Sequence, residues 1–264
     1  MAYPIPEAEN SAEAAFSKSY SSMGTFQKHR GRLLLERVEV ADGATVLDLG
    51  CGTGAMIRDL QKAVGASGRV IGIDPDAWRL QLARAGIDQE AAAVRFIEAV
   101  ATDLRGVADE TVDLVFSNYV LHWVLDIPAM LAELFRVLRP GGQFVCKCVG
   151  DPIPETVEMF SLVPGGAKVA SERTFLTDAQ WRHHFTNSGL SLEWIDRVAA
   201  LVDFPDLNTA FSWLASSSNG GFDPAKLDTA DRQWLEAKYA AQVTFSINEV
   251  EFLLTKPAGI NQRP

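Results

Sequence analysis

The stretch Val46-Leu47-Asp48-Leu49-Gly50-Cys51-Gly52-Thr53-Gly54 constrains the fold more than any other part of the chain. An apolar run that gives way to glycine at alternate positions reads as a buried strand ending in a tight turn. Glycine removes the side chain where backbone must approach another group, and it admits the positive φ that a sharp turn needs. The turn therefore offers bare N–H groups to a ligand. Spacing narrows the choice of ligand. Ala55 and Met56 stand where G-x-G-x-x-G needs its third glycine, and no lysine follows until Lys62, so the Gly-Lys-Ser/Thr of a triphosphate loop is missing. Asp48, at the mouth of the turn, would repel a polyphosphate and attract a cation.

Val70-Ile71-Gly72-Ile73-Asp74 reads as a second buried strand ending in an acid. It follows the first by about 20 residues, where nucleoside-binding sheets place a carboxylate for the ribose hydroxyls. Asp is also a common helix start signal, but the place of Asp74 directly after a strand favours the ribose role. The spacing predicts strands over Thr45–Leu49, Val70–Ile73, Val94–Glu98, Val112–Ser117, Gln143–Val149, Leu190–Val202 and Val243–Leu254. Helices are expected over about Ala55–Val64, after Pro75-Asp76, over Ile127–Leu138, from Thr177, and over Leu207–Ala215 and Thr229–Ala241. Alternating strands and helices imply a parallel sheet whose ligand crevice lies at the carboxyl ends of the strands. Asp151, Pro152 and Pro154 read as a break in the pattern.

Asp48 to Gly54 resembles the first motif of the class I S-adenosylmethionine-dependent methyltransferases. Asp74, the run Asp113-Leu114-Val115-Phe116-Ser117-Asn118 and the run Leu138-Arg139-Pro140-Gly141-Gly142-Gln143-Phe144 are similar to the later motifs of that family, in the same order. The resemblance implies an α/β fold: a Rossmann-like seven-stranded sheet with helices on both faces, an antiparallel last strand and a helical insertion before it. It implies a single methyltransferase domain over 1–264, with a helical cover (1–40), core (41–203), helical insertion or lid (204–242) and last strand and tail (243–264). It also implies S-adenosyl-L-methionine as methyl donor, S-adenosyl-L-homocysteine as product, and no metal. The positions carried over as cofactor-binding are Asp48, Gly50, Cys51, Gly52, Gly54, Asp74, Pro75, Ala101, Thr102 and Asn118. Where the family often has Gly-Asp-Ala near the adenine, this chain has Ala99-Val100-Ala101, leaving Asp103 as the nearest acid.

Acceptor groups are expected beyond the fourth strand, in Asn118-Tyr119-Val120-Leu121-His122-Trp123-Val124. His122 is the candidate catalytic base, since an imidazole titrates near neutrality, and packing against aromatic neighbours is its bland alternative. Leu121-His122-Trp123 resembles the small-acid carboxyl methyltransferases of the malonyl-acyl-carrier-protein, trans-aconitate and juvenile hormone acid types. There, His122 and Trp123 would hold the acceptor rather than deprotonate it. Tyr20, His122, Trp123 and Trp213 are the candidate substrate-binding residues. Phe211, Trp213, Leu214 and Phe222 would line an apolar pocket or simply fill a core, and Lys28, His29 and Arg30 would meet the cofactor carboxylate. The expected reaction is transfer to a carboxylate or hydroxyl oxygen. The alternatives are nitrogen or carbon methylation in natural-product metabolism, or a non-methylating enzyme or assembly factor on the same fold.

Composition bounds the partners. With 24 basic against 34 acidic residues the formal net charge is -10, which opposes binding to a phosphate backbone, and no local basic patch offsets it. The run Ser117-Asn118-Tyr119-Val120 also lacks the Asn/Asp-Pro-Pro-aromatic sequence of nucleic-acid amino-methylating enzymes, so a small-molecule acceptor, free or carrier-linked, is expected. Apolar runs fall short of the roughly 18 residues that a membrane span needs, and the N-terminal stretch does not read as a signal peptide. A cytoplasmic protein with reduced Cys51, Cys146 and Cys148 follows as an expectation, while the oligomeric state is left open.

Overall fold

Apolar alternation along each strand builds a sheet with two buried faces. The computed structural model describes residues 26–87, 93–166, 168, 173–218 and 221–258. The strands are β1 (Thr45–Leu49), β2 (Arg69–Asp74), β3 (Ala93–Glu98), β4 (Val112–Asn118), β5 (Leu138–Val149), β6 (Ser191–Phe204) and β7 (Val243–Thr255). They form one seven-stranded sheet in the order β3-β2-β1-β4-β5-β7-β6. Neighbours from β3 through β5 pair in parallel, and β7 runs antiparallel to β5. The order reverses at β1 and β4, which is where open α/β sheets bind ligands.

The helices are α1 (26–35), α2 (Ile57–Val64), α3 (Ala77–Ala85), α4 (Ile127–Val137), α5 (Pro154–Ser161), α6 (Asp178–Thr186), α7 (Leu207–Ser217) and α8 (Thr229–Lys238). Their starts follow local chemistry. Asp76, not Asp74, caps α3, accepting from the N–H groups of Trp78 and Arg79. Thr177 and Gln180 form a reciprocal capping box on α6. The segment read as a break contains α5, because Pro154 occupies the first turn, where a missing N–H costs nothing. Likewise β5 begins at Leu138 rather than Gln143, pairing with Val112 before a register shift. Among the described residues, no helix is long and apolar enough to cross a membrane.

The chain divides into two compact units. The larger is drawn from Gln27–Pro152, Glu172–Ala200 and Asn248–Pro264. On one sheet face, Leu131 and Leu134 of α4 and Trp181 and Phe185 of α6 join a core with Leu47, Val115, Phe144, Cys146, Cys148 and Phe252. On the other, Leu34 of α1, Ile57 and Leu60 of α2 and Leu80 of α3 join Val46, Val70, Phe116 and Val145. Leu47 and Val46 thus serve opposite faces, as the strand period of two requires. Cys146 and Cys148 are free thiols on the same face, and Cys51 is a free thiol in the other core. The smaller unit comes from Met1–Phe26, Ile153–Ser171 and Leu201–Ile247. Within it, Phe222 packs between Phe160 and Phe211, and Phe204, Trp213 and Phe245 form a second aromatic group.

One polar cluster is buried within the larger unit. Lys147, fully buried in β5, sits 2.9 Å from Glu251 and 3.7 Å from Glu249 of β7, and donates to the carbonyl of Arg30 at 2.9 Å. Arg30 and the Tyr119 hydroxyl both bond Glu249, and Arg37 reaches Glu251. These contacts bind α1 to the carboxyl half of the sheet. Burial raises the Glu251 pKa, but Lys147 and Arg37 outweigh it and the net shift is downward. Replacing Lys147 leaves buried carboxylates short of a countercharge, which typically costs ~3 kcal/mol or more. Lys147→Met is therefore expected to lower stability by about 3 kcal/mol in urea unfolding at neutral pH. An acid with a depressed folded pKa adds stability above its unfolded pKa and loses it as pH falls through the folded value. The deficit of Lys147→Met should accordingly shrink on acidification below the usual Glu range; a deficit under about 1 kcal/mol at neutral pH would contradict this account.

Candidate functional site

The glycine turn is fixed to β2 by its own backbone. The N–H groups of Gly50 and Cys51 both donate to the carbonyl of Ile73, at 2.7 and 2.8 Å. The Gly52 N–H donates to Asp74 Oδ2 at 2.9 Å, and the Asp76 N–H donates to Asp74 Oδ1 at 2.9 Å. Two glycines in the turn have distinct reasons. At Gly50 (φ +75) a Cβ would stand 2.2 Å from a Val120 methyl, so only glycine lets the turn pack against the chain leaving β4. At Gly52 (φ +53) a Cβ would meet nothing within 4 Å, so its backbone faces open space. Gly54 instead packs close to Ala83 of α3.

Two acids lie beside that open backbone. Asp48 is 3 % exposed and Asp74 4 % exposed, so both belong to the interior. Asp74 has backbone donors on both oxygens, whereas Asp48 Oδ2 is buried with no hydrogen-bond partner. Burial, and then the charge of Asp74, push the Asp48 pKa up to about 7. Cys51 is driven further up by burial and by the same two acids, which keeps it a thiol. A ligand with a positive group would relieve the acidic pair, since an opposite charge nearby favours the ionised form.

Neighbouring segments converge on the same edge. The Ala99 N–H donates to the Asp74 carbonyl at 3.3 Å, and Asp103 N–H returns to Val100 at 3.0 Å, leaving half-buried Ala101 and Thr102 at the tip of a turn. The Asp103 carboxylate is held by Arg105, which lowers its pKa. Pro75 is exposed directly after Asp74. Ser117 Oγ donates to the Leu49 carbonyl at 3.1 Å, tying the end of β4 to the start of the glycine turn. Asn118 Nδ2 donates to the Gln27 carbonyl of α1 at 2.9 Å, while its buried Oδ1 has no partner.

Beyond β4 the chain turns sharply. Tyr119 adopts φ +61, a left-handed conformation uncommon for a side chain of its size, fixed by its N–H to the Lys147 carbonyl at 2.7 Å and by its hydroxyl to Glu249. A 3-10 turn over Leu121–Trp123 follows. His122 is 7 % exposed, its Nδ1 is buried without a partner, and burial, then the charge of Arg173, lower its pKa to about 3. The rings of His122 and Trp123 are 5.4 Å apart. The Arg173 guanidinium lies 4.5 Å from the centre of the Trp123 ring, and the Thr174 N–H donates to the His122 carbonyl at 2.8 Å.

The larger unit thus gathers Asp48, Gly50, Cys51, Gly52, Gly54, Asp74, Pro75, Ala101, Thr102, Asn118, His122 and Trp123 on strand ends and the loops that leave them. Trp213 belongs to the smaller unit, packed on Phe204 and Phe245, and Tyr20 lies outside the described residues. Arg30 is committed to Glu249 and Lys28 stands 3.5 Å from Asp59, partners that the sequence reading did not assign them. Sequence reasoning also missed Lys147, Glu249 and Glu251. Their signal was present, since a lysine between Cys146 and Cys148 interrupts an apolar strand and two glutamates alternate in the last one. Arg173 had no such local signal, because it reaches Trp123 only through the fold.

A model of a methyltransferase domain matches residues 47–146. A demethylmenaquinone methyltransferase of Lactococcus lactis is 31% identical over 210 residues, covering 78% of this chain and 77% of the relative. A malonyl-[acyl-carrier protein] O-methyltransferase of Yersinia pestis is 34% identical over 193 residues, covering 70% and 69%. Other curated relatives match over about half of their own length. In fold, the chain is similar to the crystal structure of the YcgJ protein of Bacillus subtilis, with a TM-score of 0.64 at 17% identity over 88% of this chain and 99% of that one. A fold alone would leave the chemistry open. The relationship to the Lactococcus enzyme, which runs through most of both chains, closes that gap: this protein belongs to the class I S-adenosylmethionine-dependent methyltransferases of small molecules.

Proposed function

We propose that the enzyme methylates an oxygen of its acceptor, a carboxylate in preference to a hydroxyl, and that the ends of β1 and β2 hold the methyl donor. The residues present fit that donor, a sulfonium nucleoside with an amino-acid tail. Asp48 brings an unpartnered buried oxygen and a negative charge for a cationic group, Asp74 a carboxylate for the ribose, and Gly52 an uncovered backbone. Cys51, Gly54, Pro75, Ala101, Thr102 and Asn118 complete the proposed cofactor set. When bound, S-adenosylmethionine supplies a methyl group already activated for displacement, so the protein's task is placement of the acceptor and exclusion of water.

The single observation that carries the preference is the state of His122. With a pKa near 3 the imidazole is neutral across the physiological range and is a weak base. A hydroxyl acceptor must lose a proton during transfer; a carboxylate has none to lose. A neutral imidazole still offers one N–H donor and one lone pair, enough to orient an acceptor oxygen. His122 is therefore assigned to holding and aiming the acceptor, with Trp123 as an apolar wall beside it. Tyr20 and Trp213 remain proposed acceptor contacts. The O-methyltransferase named among the relatives supports the same atom.

Three outcomes test the assignment. Asp74→Ala should weaken S-adenosylhomocysteine binding about a hundredfold, the scale of two lost charge-assisted hydrogen bonds, with the circular dichroism of the fold retained. Unchanged affinity would remove the ribose role. For Asp48, raised to about 7, protonation removes the charge that attracts a cation, so affinity should fall about tenfold from pH 8 to pH 6. Calorimetric titration should show that fall in the wild type and a flat profile in Asp48→Asn; a flat wild-type profile would refute the role. His122→Ala should reduce release of S-adenosylhomocysteine about a hundredfold, as for a lost positioning group, while cofactor affinity stays near wild type. Turnover equal to wild type would return His122 to packing.

A further inference from the structure

Arg173 has a place in this site that no motif announces. Its guanidinium lies 4.5 Å over the Trp123 ring, and its charge is felt by His122. The bond from the Thr174 N–H to the His122 carbonyl clamps the two segments together at 2.8 Å. Arg173 is thus held against the 3-10 turn that leaves β4, on the acceptor side of the site and not on the glycine-turn side. The guanidinium is largely withdrawn from solvent, and burial lowers its pKa without bringing it near neutrality, so the charge persists. A planar cation over an indole face keeps its hydrogen-bonding edge available for a planar, bidentate anion, and carboxylate is the group whose geometry matches that fork. His122, 5.4 Å from Trp123 by ring centres and 7 % exposed, aims an unpartnered buried Nδ1 from the same turn.

We infer that Arg173 is the anchor for a carboxylate of an acidic acceptor, with Trp123 supporting the guanidinium and His122 taking the oxygen that is methylated. The inference rests on the oxygen-transfer reading above and adds to it a substrate class. A carboxylate paired to a guanidinium has its lone pairs drawn into charge-assisted hydrogen bonds, which makes it a poor nucleophile. The anchored carboxylate is consequently the one that stays ionised, and the methyl goes to a second oxygen group of the same molecule. The acceptor class is therefore a polycarboxylic acid or a hydroxy acid, and the product keeps at least one free carboxylate. A diester lacks the group that Arg173 recognises; a half ester keeps it.

The test uses the whole protein loaded with S-adenosylhomocysteine and titrated with malonate, succinate, glutarate, adipate and trans-aconitate, each beside its half ester and its full ester. For at least one scaffold, diacid and half ester should bind the wild type about tenfold or more tightly than the full ester, the scale of one charge-assisted bidentate contact. Arg173→Gln should abolish that preference and leave S-adenosylhomocysteine affinity and the thermal midpoint near wild type, and Arg173→Lys should restore part of it. In turnover, the loss should appear in KM for the acid more than in kcat. A wild type that binds no acid in the set, or binds full esters equally, overturns the anchor, and so does an Arg173→Gln protein that still prefers acids. The two readings separate cleanly. Acid-selective binding without methyl transfer to oxygen keeps the anchor and removes oxygen transfer, whereas oxygen methylation of neutral acceptors at wild-type rate in Arg173→Gln does the reverse.

Discussion

Two carboxylates brought out of water at the ends of adjacent strands set the character of this molecule. Like charges in a shared interior resist joint ionisation, and the sequence resolves the conflict unequally. Asp74 receives backbone N–H groups on both oxygens, one of them from Gly52, so its charge is stabilised by the turn that it shapes. Asp48 keeps a buried oxygen with no partner and titrates near neutrality. One acid therefore organises the loop, and the other is left poised for a positive ligand. The β-strand register makes this arrangement possible, pairing Leu49 with Ile73 so that the turn and the acid emerge side by side.

The acceptor side depends on a second buried arrangement of charge. Tyr119 could not hold its left-handed backbone cheaply on its own, since such conformations cost on the order of 1–3 kcal/mol in a residue with a side chain. Its N–H is tied to the Lys147 carbonyl and its hydroxyl to Glu249, within a cluster that also contains Arg30 and Glu251. That backbone reversal is what sends Val120 against Gly50 and starts the 3-10 turn bearing His122 and Trp123. The ionic cluster thus acts on chemistry through geometry, by fixing where the chain goes after β4.

Much of this was legible in the residues themselves. Strand positions follow from apolar runs, and the cofactor edge from alternate glycines and two strand-end acids, because those features are local and their spacing is set by backbone geometry. What resisted reading was long-range or context-dependent. Helix α5 hid behind Pro152 and Pro154, since proline both breaks helices and begins them. The β5 boundary hid behind Pro140-Gly141-Gly142, where the strand in fact begins earlier at Leu138. Imidazole chemistry was misjudged for a physical reason as well: the ordinary pKa of His122 invites a base, and only its burial beside Arg173 reveals a neutral ring. Arg173 itself, distant along the chain, becomes visible only when Thr174 is seen bonded to His122.

The central claim is that the Asp48–Asp74 edge and the uncovered Gly52 backbone form the seat of the methyl donor. Its most direct test is a crystal structure of the protein grown with S-adenosylhomocysteine. The account predicts the ribose hydroxyls on Asp74, the amino-acid tail near Asp48 and the ligand against the Gly52 backbone. Density for the nucleoside at any other place on the sheet, with that edge empty, would contradict it.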